Sequence, residues 1–379
     1  MMSKLNVLVV GGGIGGLSAA IAIRQKGHDV HVVERYASAH ASVYGVGIIQ
    51  PINALRALDA IGAAQPCLDA GFAASAWGAM YDHDGNFLRD IHGTPIESST
   101  LPPMNGVTRP KLHEILTERA IEVGVVIQYS SSYVSLTDRG DGIDVTLDTG
   151  EVISADILVG ADGVASKVRE HVLDATLRPE YIGQSAYRQN MPLLPEIDRI
   201  ILQEGPNGMA GFVPIGPDMA YMFFNKPMAR AERPATADLP AALRAELEGF
   251  GGLAGRFRDE FLSDNPADIV LRPEEAMIAP APWHKGRVVL MGDAVHSITP
   301  HLGQGAAQAI EDGVVLGEVL GAHENIEDAF VEFTERRFER CKLIVETSRN
   351  IGEWEMGKLP GFDNVAATQH VLKVMAQPL

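Results

Sequence analysis

Hydrophobic positions fall along this chain in two textures. Residues 5–10 are apolar almost throughout and rich in β-branched side chains, the pattern of a strand buried on both faces. Ala and Ile then recur at helical spacing over residues 17–26, Gly27 closes that helix, and residues 29–33 read as a second buried strand. The same continuous apolar pattern returns at residues 156–159 and 288–291. Between these runs the texture is alternating. Strands are predicted at residues 74–80 and 86–90 around a turn at 82–85, then at 125–129, 133–137 and 142–148. Beyond Pro179 the chain is Pro-rich, with alternating strands at 185–191, 209–214 and 219–225. Helical patterns cover residues 53–61, 239–250, 305–320 and 326–354, and an amphipathic helix opened by Arg109 and Pro110 runs to Val123. Residues 43–52 begin as a loop, and residues 92–106 read as loop throughout.

The interruption between the first strand and its helix carries chemistry. Gly11-Gly12-Gly13-Ile14-Gly15-Gly16 satisfies G-x-G-x-x-G, and it arrives with strand, helix, second strand and a terminal acidic residue all in order. Gly11 permits the tight turn, Gly13 lets the backbone approach a pyrophosphate, and Gly16 lets helix and strand pack closely. The helix N-terminus offers free N–H groups and a positive dipole end to phosphates. Glu34, 18 residues after Gly16, can accept hydrogen bonds from a ribose with a free 2′-hydroxyl, so this site suits FAD or NAD and not NADP. Asp162 and Asp293 each stand at the mouth of another continuous apolar strand, where a carboxylate can bond sugar or ribityl hydroxyls. The expected architecture is α/β. A Rossmann-like dinucleotide-binding domain would be assembled from residues 1–72, 99–177 and 274–322. A β-sheet substrate domain, residues 73–98 and 178–273, is inserted, and residues 323–379 form C-terminal helices.

At 379 residues, with 46% hydrophobic and 21% charged content, the chain can bury a large core as a soluble globular protein. A net charge of -18, from 31 basic and 49 acidic residues, argues against nucleic acid or an anionic membrane surface as partner. No stretch reaches the length of a membrane span, and the short first apolar run does not read as a signal peptide. Cys67 and Cys341 are far apart and in no C-x-x-C, which suits a reducing cytoplasm and two inert thiols. No metal site is expected.

Two further stretches complete a family pattern. Residues 160–169 read G-A-D-G-x-x-S-x-V-R, and Gly292-Asp293 continues through Pro300-His301-Leu302-Gly303-Gln304-Gly305 to Glu311-Asp312. With the glycine turn, with Gly45-x-Gly47-Ile48 and Asn53, and with Arg109, Leu112 and Leu116, they resemble the single-component FAD-dependent aromatic hydroxylases. These are the para-hydroxybenzoate hydroxylase-like flavoprotein monooxygenases. Pro300-His301 and Gln308 look closest to the salicylate, hydroxynicotinate and urate hydroxylase-like branches. The resemblance implies FAD as cofactor and NADH or NADPH as transient co-substrate. It implies a cofactor-binding set of Gly11, Gly13, Ile14, Gly15, Gly16, Glu34, Arg35, Gly47, Arg109, Asp162, Asp293, Pro300, Gly303 and Gly305. Two departures stand out: Val43 where many members carry Arg, and Ala307 where many carry Asn. A second nicotinamide domain is not expected, because Gly249 to Gly255 follows a helix and misses the glycine spacing.

The implied reaction uses O2, and a peroxide on the reduced ring must be shielded from water. A base that draws a proton from a phenol speeds oxygen transfer, and a pKa near ambient pH favours His. His301 is the candidate base, with a loop His bonded to backbone or cofactor as the plain alternative; His296 reads as structural or cofactor-side. In the inserted domain, Tyr187 and Arg188 are candidates, since a guanidinium pairs with a carboxylate in bidentate fashion. Phe212, Phe223 and Met209 are expected as apolar wall, and Tyr221 as a hydroxyl that orients a phenol. Catalytic candidates are thus His301, Tyr221 and Arg188, and the substrate set is Tyr187, Arg188, Phe212, Tyr221, Phe223, Pro300 and His301. A small phenolic or N-heteroaromatic acid is the first substrate expectation, favoured by the short C-terminus. A larger polycyclic compound and a flavin reductase or binding protein without oxygenase activity are the alternatives. A monomer or a homodimer is expected.

Overall fold

A computed structural model of the chain describes residues 3–42, 46–96 and 99–379. Val43 and Gly45, singled out above, lie outside them. The continuous apolar runs become the parallel strands Val288–Leu290, Ile157–Gly160, Asn6–Val10 and Asp29–Val33, side by side in that order, and Val126–Gln128 joins them at the edge. A short antiparallel strand, His284–Lys285, closes one edge. Val7, Leu8, Val9 and the residues of Ile157–Gly160 and Val288–Leu290 are almost wholly buried, as strands covered on both faces must be. Helix Ile14–Gln25 lies on helix Gly305–Ala322 so closely that a Cβ on Gly313 would meet the Ala19 backbone nitrogen at 2.5 Å.

The alternating runs build a second, larger sheet. Its order is His296–Ser297, Val270–Ile278, Glu180–Pro192, Met219–Pro227, Gly208–Pro214, Ile200–Gly205, Gly78–Tyr81 and Phe87–Ile91, antiparallel except for one parallel pair. One face packs Tyr187, Phe212, Met222 and Phe224 against helix Leu239–Glu246 and Phe257. The other face carries Met209, Val213 and Tyr221 against Trp77 and the last helix.

Several elements differ from the pattern. Residues 47–51 and 104–108, expected as loop, pair as strands Gly47–Pro51 and Met104–Thr108 in a small sheet with Phe72–Ala74. Such short strands owe their form to partners far away in sequence rather than to local periodicity. Strands Val152–Ala155, Ile200–Gly205 and Val270–Ile278 and helices Ala64–Ala70 and Asn364–Ala376 were not foreseen. The last helix is nonetheless capped in the ordinary way, Asp363 accepting from the Ala366 N–H.

Helix Ile326–Glu355 is capped by Asn325, with Glu327 and Asp328 in its first turn. It crosses the molecule and ends beside the large sheet, so its last residue, Glu355, is delivered far from where the helix starts. Beneath helix Gly305–Ala322 lies a buried polar network. Arg337 bonds Asp312 at 2.7 Å and Glu311 at 2.8 Å, Arg340 bonds Glu311 and the carbonyls of Val374 and Met375, and Asn53 donates to Glu311. No helix among the described residues is long and apolar enough to cross a membrane.

Candidate active site

A groove runs over the ends of the parallel strands. Gly11, Gly13, Ile14, Glu34, Arg35, Arg109 and Asp162 line it, joined by His113, Tyr133, Gly163 and Lys167. Gly11 adopts a φ of +107°, and a Cβ there would sit 2.4 Å from the Ala161 oxygen. Gly16 approaches more closely still, its missing Cβ falling 1.9 Å from the Gly11 oxygen. A Cβ on Gly13, by contrast, would meet nothing within 4 Å, and the same holds for Gly163 and Gly305. The first two glycines let the chain pack on itself; the other three leave open space above the main chain.

Polar atoms around the groove are held firmly. Glu34 accepts from the Gly12 N–H at 2.7 Å and the Tyr36 N–H at 3.0 Å. His113 bonds the Gly12 carbonyl at 2.8 Å. Asp162 accepts from the Ser166 hydroxyl and from the N–H groups of Lys167 and Val168, so both oxygens brace the turn that follows. Gly15 faces Ala309 and Met291 instead of the groove.

Arg109, at the start of helix Arg109–Glu122, lines both this groove and a second cleft. That cleft is walled by Gly47, Arg188, Tyr221, Pro300, Gly303 and Gly305. The N-terminus of helix Gly305–Ala322 opens onto it, an end that favours negative charge. Asp293 is exposed to solvent in the turn before it. The protein packed around Asp293 pushes its carboxyl above the usual range, against the pull of His296 and Arg109. Asp312 positions that turn by accepting from the Gly292 N–H at 2.8 Å and from His296 at 2.6 Å. Burial opposes the Asp312 charge, but His296 and Arg337 outweigh it and hold the carboxyl at about 2. His296 is therefore sealed in the structural network. Ala307 is fully buried in the helix.

Beyond Pro300 and Gly303 lies a third, narrow cavity of about 70 Å³. Trp77, Ile91, Leu202, Met209, Phe223 and Ile351 give it apolar walls; Arg188, Tyr221, Asn225 and Glu355 are its polar points. Arg188 is half-buried and has no hydrogen bond or ion pair among the described residues. Burial pushes the Tyr221 phenol up to about 12, against the pull of Arg188, so its hydroxyl is neutral and a donor.

Two expected substrate residues are elsewhere. Tyr187 and Phe212 are buried on the opposite face of the sheet, Phe212 edge-on to Phe257 at 6.2 Å. Successive strand residues point to opposite faces, so Tyr187 cannot share a cavity with Arg188, nor Phe212 with Met209. His301 borders the cavity, but its side chain has no exposed surface. Its Nδ1 lies 3.0 Å from the Thr299 hydroxyl and its Nε2 2.9 Å from Gln184 Oε1, with Glu274 at 3.3 Å and Glu355 at 3.5 Å. Gln184, Asn225, Glu274 and Glu355 were not foreseen. Period-two counting from Tyr221 finds Asn225; no local signal marks a lone acid at the end of a long helix.

The arrangement matches known proteins. A family model described as an FAD binding domain covers residues 4–347. The chain belongs to this family of FAD-dependent monooxygenases. YetM of Bacillus subtilis (strain 168), whose name assigns it provisionally to the FAD-dependent monooxygenases, is 33% identical over 95% of this chain and 96% of its own. The 2-heptyl-3-hydroxy-4(1H)-quinolone synthase of Pseudomonas aeruginosa is 31% identical over 93% of this chain and 90% of its own. Among solved structures, Klebsiella pneumoniae HpxO complexed with FAD and uric acid shares the fold. Its TM-score is 0.84 at 24% identity, over 99% of this chain and 94% of that one.

The groove fits FAD on its own geometry. Gly13, Gly163 and Gly305 leave space where a side chain would intrude, Glu34 lines the groove, and Arg109, without a side-chain partner among the described residues, stands where groove and cleft meet.

Proposed function

We propose that this monooxygenase uses NADH or NADPH and O2 to hydroxylate a phenolic or N-heteroaromatic compound bound between Arg188 and Glu355. The observation that carries the reading is Arg188, a guanidinium with no partner among the described residues, at the edge of a cavity whose walls are largely apolar. A half-buried guanidinium is satisfied by a carboxylate or polarised carbonyl on the substrate.

Gly11, Gly13, Ile14, Gly16, Glu34 and Arg35 would hold the adenosine half of FAD, with Gly15 supporting the turn from behind. Arg109, Asp162 and Asp293 would serve its middle, and Gly47, Pro300, Gly303 and Gly305 its ring. Bound there, FAD supplies electron transfer and oxygen activation. The chain supplies the rest. Arg188 fixes the acidic or carbonyl edge of the substrate, and the Tyr221 hydroxyl donates to a ring oxygen. Trp77, Phe223 and Met209 exclude water from the reacting face. The N-terminus of helix Gly305–Ala322 favours negative charge gathering in the cleft.

A second reading, a substrate with a larger apolar body, is supported by the long hydrophobic wall from Trp77 to Val365 and by the quinolone synthase among the relatives. Flavin bleaching without oxygen tests both. Purified enzyme is mixed with NADH or NADPH and a panel of phenolic acids, hydroxypyridines and alkylquinolones. A large acceleration by one class identifies it. Fast reduction indifferent to every aromatic would overturn the hydroxylase reading in favour of a plain reductase.

A further inference from the structure

Glu355 is the last residue of a long helix, where the macrodipole disfavours an anion. Its side chain is 7% exposed, and two amide donors reach it. Oε2 accepts from Gln184 Nε2 at 2.6 Å and from Asn225 Nδ2 at 3.2 Å. Gln184 turns its other end to His301, so one amide bridges imidazole and carboxylate. Oε1 accepts no hydrogen bond from the described residues. Glu355 also lines two spaces at once: the substrate cavity and an outer cleft bounded by Glu204, Asn207, Met209, Trp354 and Gly357.

Resting on the hydroxylation reading above, we propose that Glu355, not His301, takes the proton from the substrate's acidic N–H or O–H and passes it through the outer cleft to bulk water. The N–H or O–H bond breaks, its electron pair stays on that nitrogen or oxygen and is delocalised into the ring, and the proton forms the carboxylic acid on Oε1. Water in the outer cleft then removes that proton and restores the carboxylate. Electron density left on the aromatic ring is what electrophilic oxygen transfer needs.

His301 is a positioning residue behind this step. Burial disfavours its charge, but Glu274 and Glu355 outweigh burial and lift it to about 9, so it stays an imidazolium at neutral pH. Burial pushes Glu274 up as well, against the pull of His301. The charged or titratable groups facing Glu355 are His301 from the Pro300–Leu302 turn, Glu274 from strand Val270–Ile278, and Arg188 from strand Glu180–Pro192. Tyr221 faces the same cavity, and Glu204 faces it across the outer cleft. Imidazolium and two amide donors together stabilise the anion that the helix end opposes.

The test uses the FAD-loaded enzyme with 4(1H)-quinolone and its 1-methyl derivative, which lacks the N–H. Wild type should hydroxylate the first with an acid limb in its pH profile. Glu355→Gln should lower turnover of that probe by about 100-fold and flatten the limb. Flavin content should stay within about threefold of wild type, since Glu355 lies outside the groove and cleft that would hold FAD. Glu355→Asp should restore part of the rate, and His301→Gln should shift the limb without abolishing it. Turnover within threefold of wild type in Glu355→Gln, or an unmoved pH profile, overturns the proposal. If neither probe stimulates reduction in wild type, the substrate reading has failed and the relay is judged separately. Difference infrared spectra of wild type against Glu355→Gln then follow the Glu355 carboxyl in H2O and D2O. A Glu355 carboxyl band that shifts between H2O and D2O supports the relay, and one that does not exchange with solvent overturns it.

Discussion

At the head of the parallel sheet, the walls that matter are main chain: Gly11 against Ala161, Gly16 against Gly11, and an empty place above Gly13. In the cavity on the large sheet, nearly every wall is a side chain. These come from strands Glu180–Pro192, Gly208–Pro214 and Met219–Pro227, the Pro300–Leu302 turn and the far end of helix Ile326–Glu355. A site made of backbone cannot take a side chain at Gly11 or Gly16, where main chain stands in the way, nor at Gly13 without filling the space left for the ligand. A site made of side chains tolerates substitution but changes what it binds. The first kind recognises a constant cofactor; the second is where relatives on one fold diverge.

The sharpest break in that contrast is Gly16→Ala. Its Cβ would lie on the Gly11 oxygen, so the turn must move, and a loss of about 4 kcal/mol or more is expected in urea unfolding, with colourless protein. Gly13→Ala, with open space at its Cβ, should keep the apoprotein's stability within about 0.5 kcal/mol while weakening FAD binding. Equal losses from the two would dissolve the distinction between packing and cofactor glycines.

Next comes the network beneath both sites. Arg337→Met takes from Glu311 and Asp312 the buried cation they share, leaving Arg340 to the first and His296 to the second, which should cost about 3 kcal/mol. A change under 1 kcal/mol would mean the two carboxylates find other partners. Arg188→Met should leave flavin content untouched and raise KM for an anionic substrate by about 10- to 100-fold, corresponding to the loss of a charged hydrogen bond.

Protonation distinguishes the two regions further. His301 is lifted from 6.5 to about 9 in the fold, so its contribution to stability is complete below about pH 6.5 and lost as pH rises through 9. Asp312 is lowered from 3.8 to about 2, so its contribution is present above about pH 3.8 and lost as pH falls through 2. Unfolding midpoints should therefore decline from pH 6.5 to 9 more steeply in wild type than in His301→Gln; parallel curves would remove His301 from the account. The smallest effect expected is Tyr187→Phe, which should leave KM within about twofold because Tyr187 faces the core. A large change in KM would return Tyr187 to the cavity.

Much of the fold could be read from periodicity. The strands at 5–10, 29–33, 156–159 and 288–291 are continuous apolar runs because both their faces are covered, and a run of that kind is visible locally. Strands 47–51 and 104–108 are short and pair with each other more than fifty residues apart, so nothing local marked them. The alternation itself contained a correction that was not drawn: adjacent residues Tyr187 and Arg188 cannot line one cavity.

The sequence by itself determined the glycine turn, the acidic residue 18 positions on, the two carboxylates at strand mouths, and hence the dinucleotide groove. Each is a local relation between backbone conformation and residue type, and local relations survive in one dimension. Only the tertiary structure decided that His301 is sealed behind Gln184 and that Glu355 reaches the cavity. It also decided that Arg188 has no partner among the described residues. Those facts depend on segments up to 171 residues apart meeting with particular side chains turned inward, and desolvation and pairing exist only once they meet.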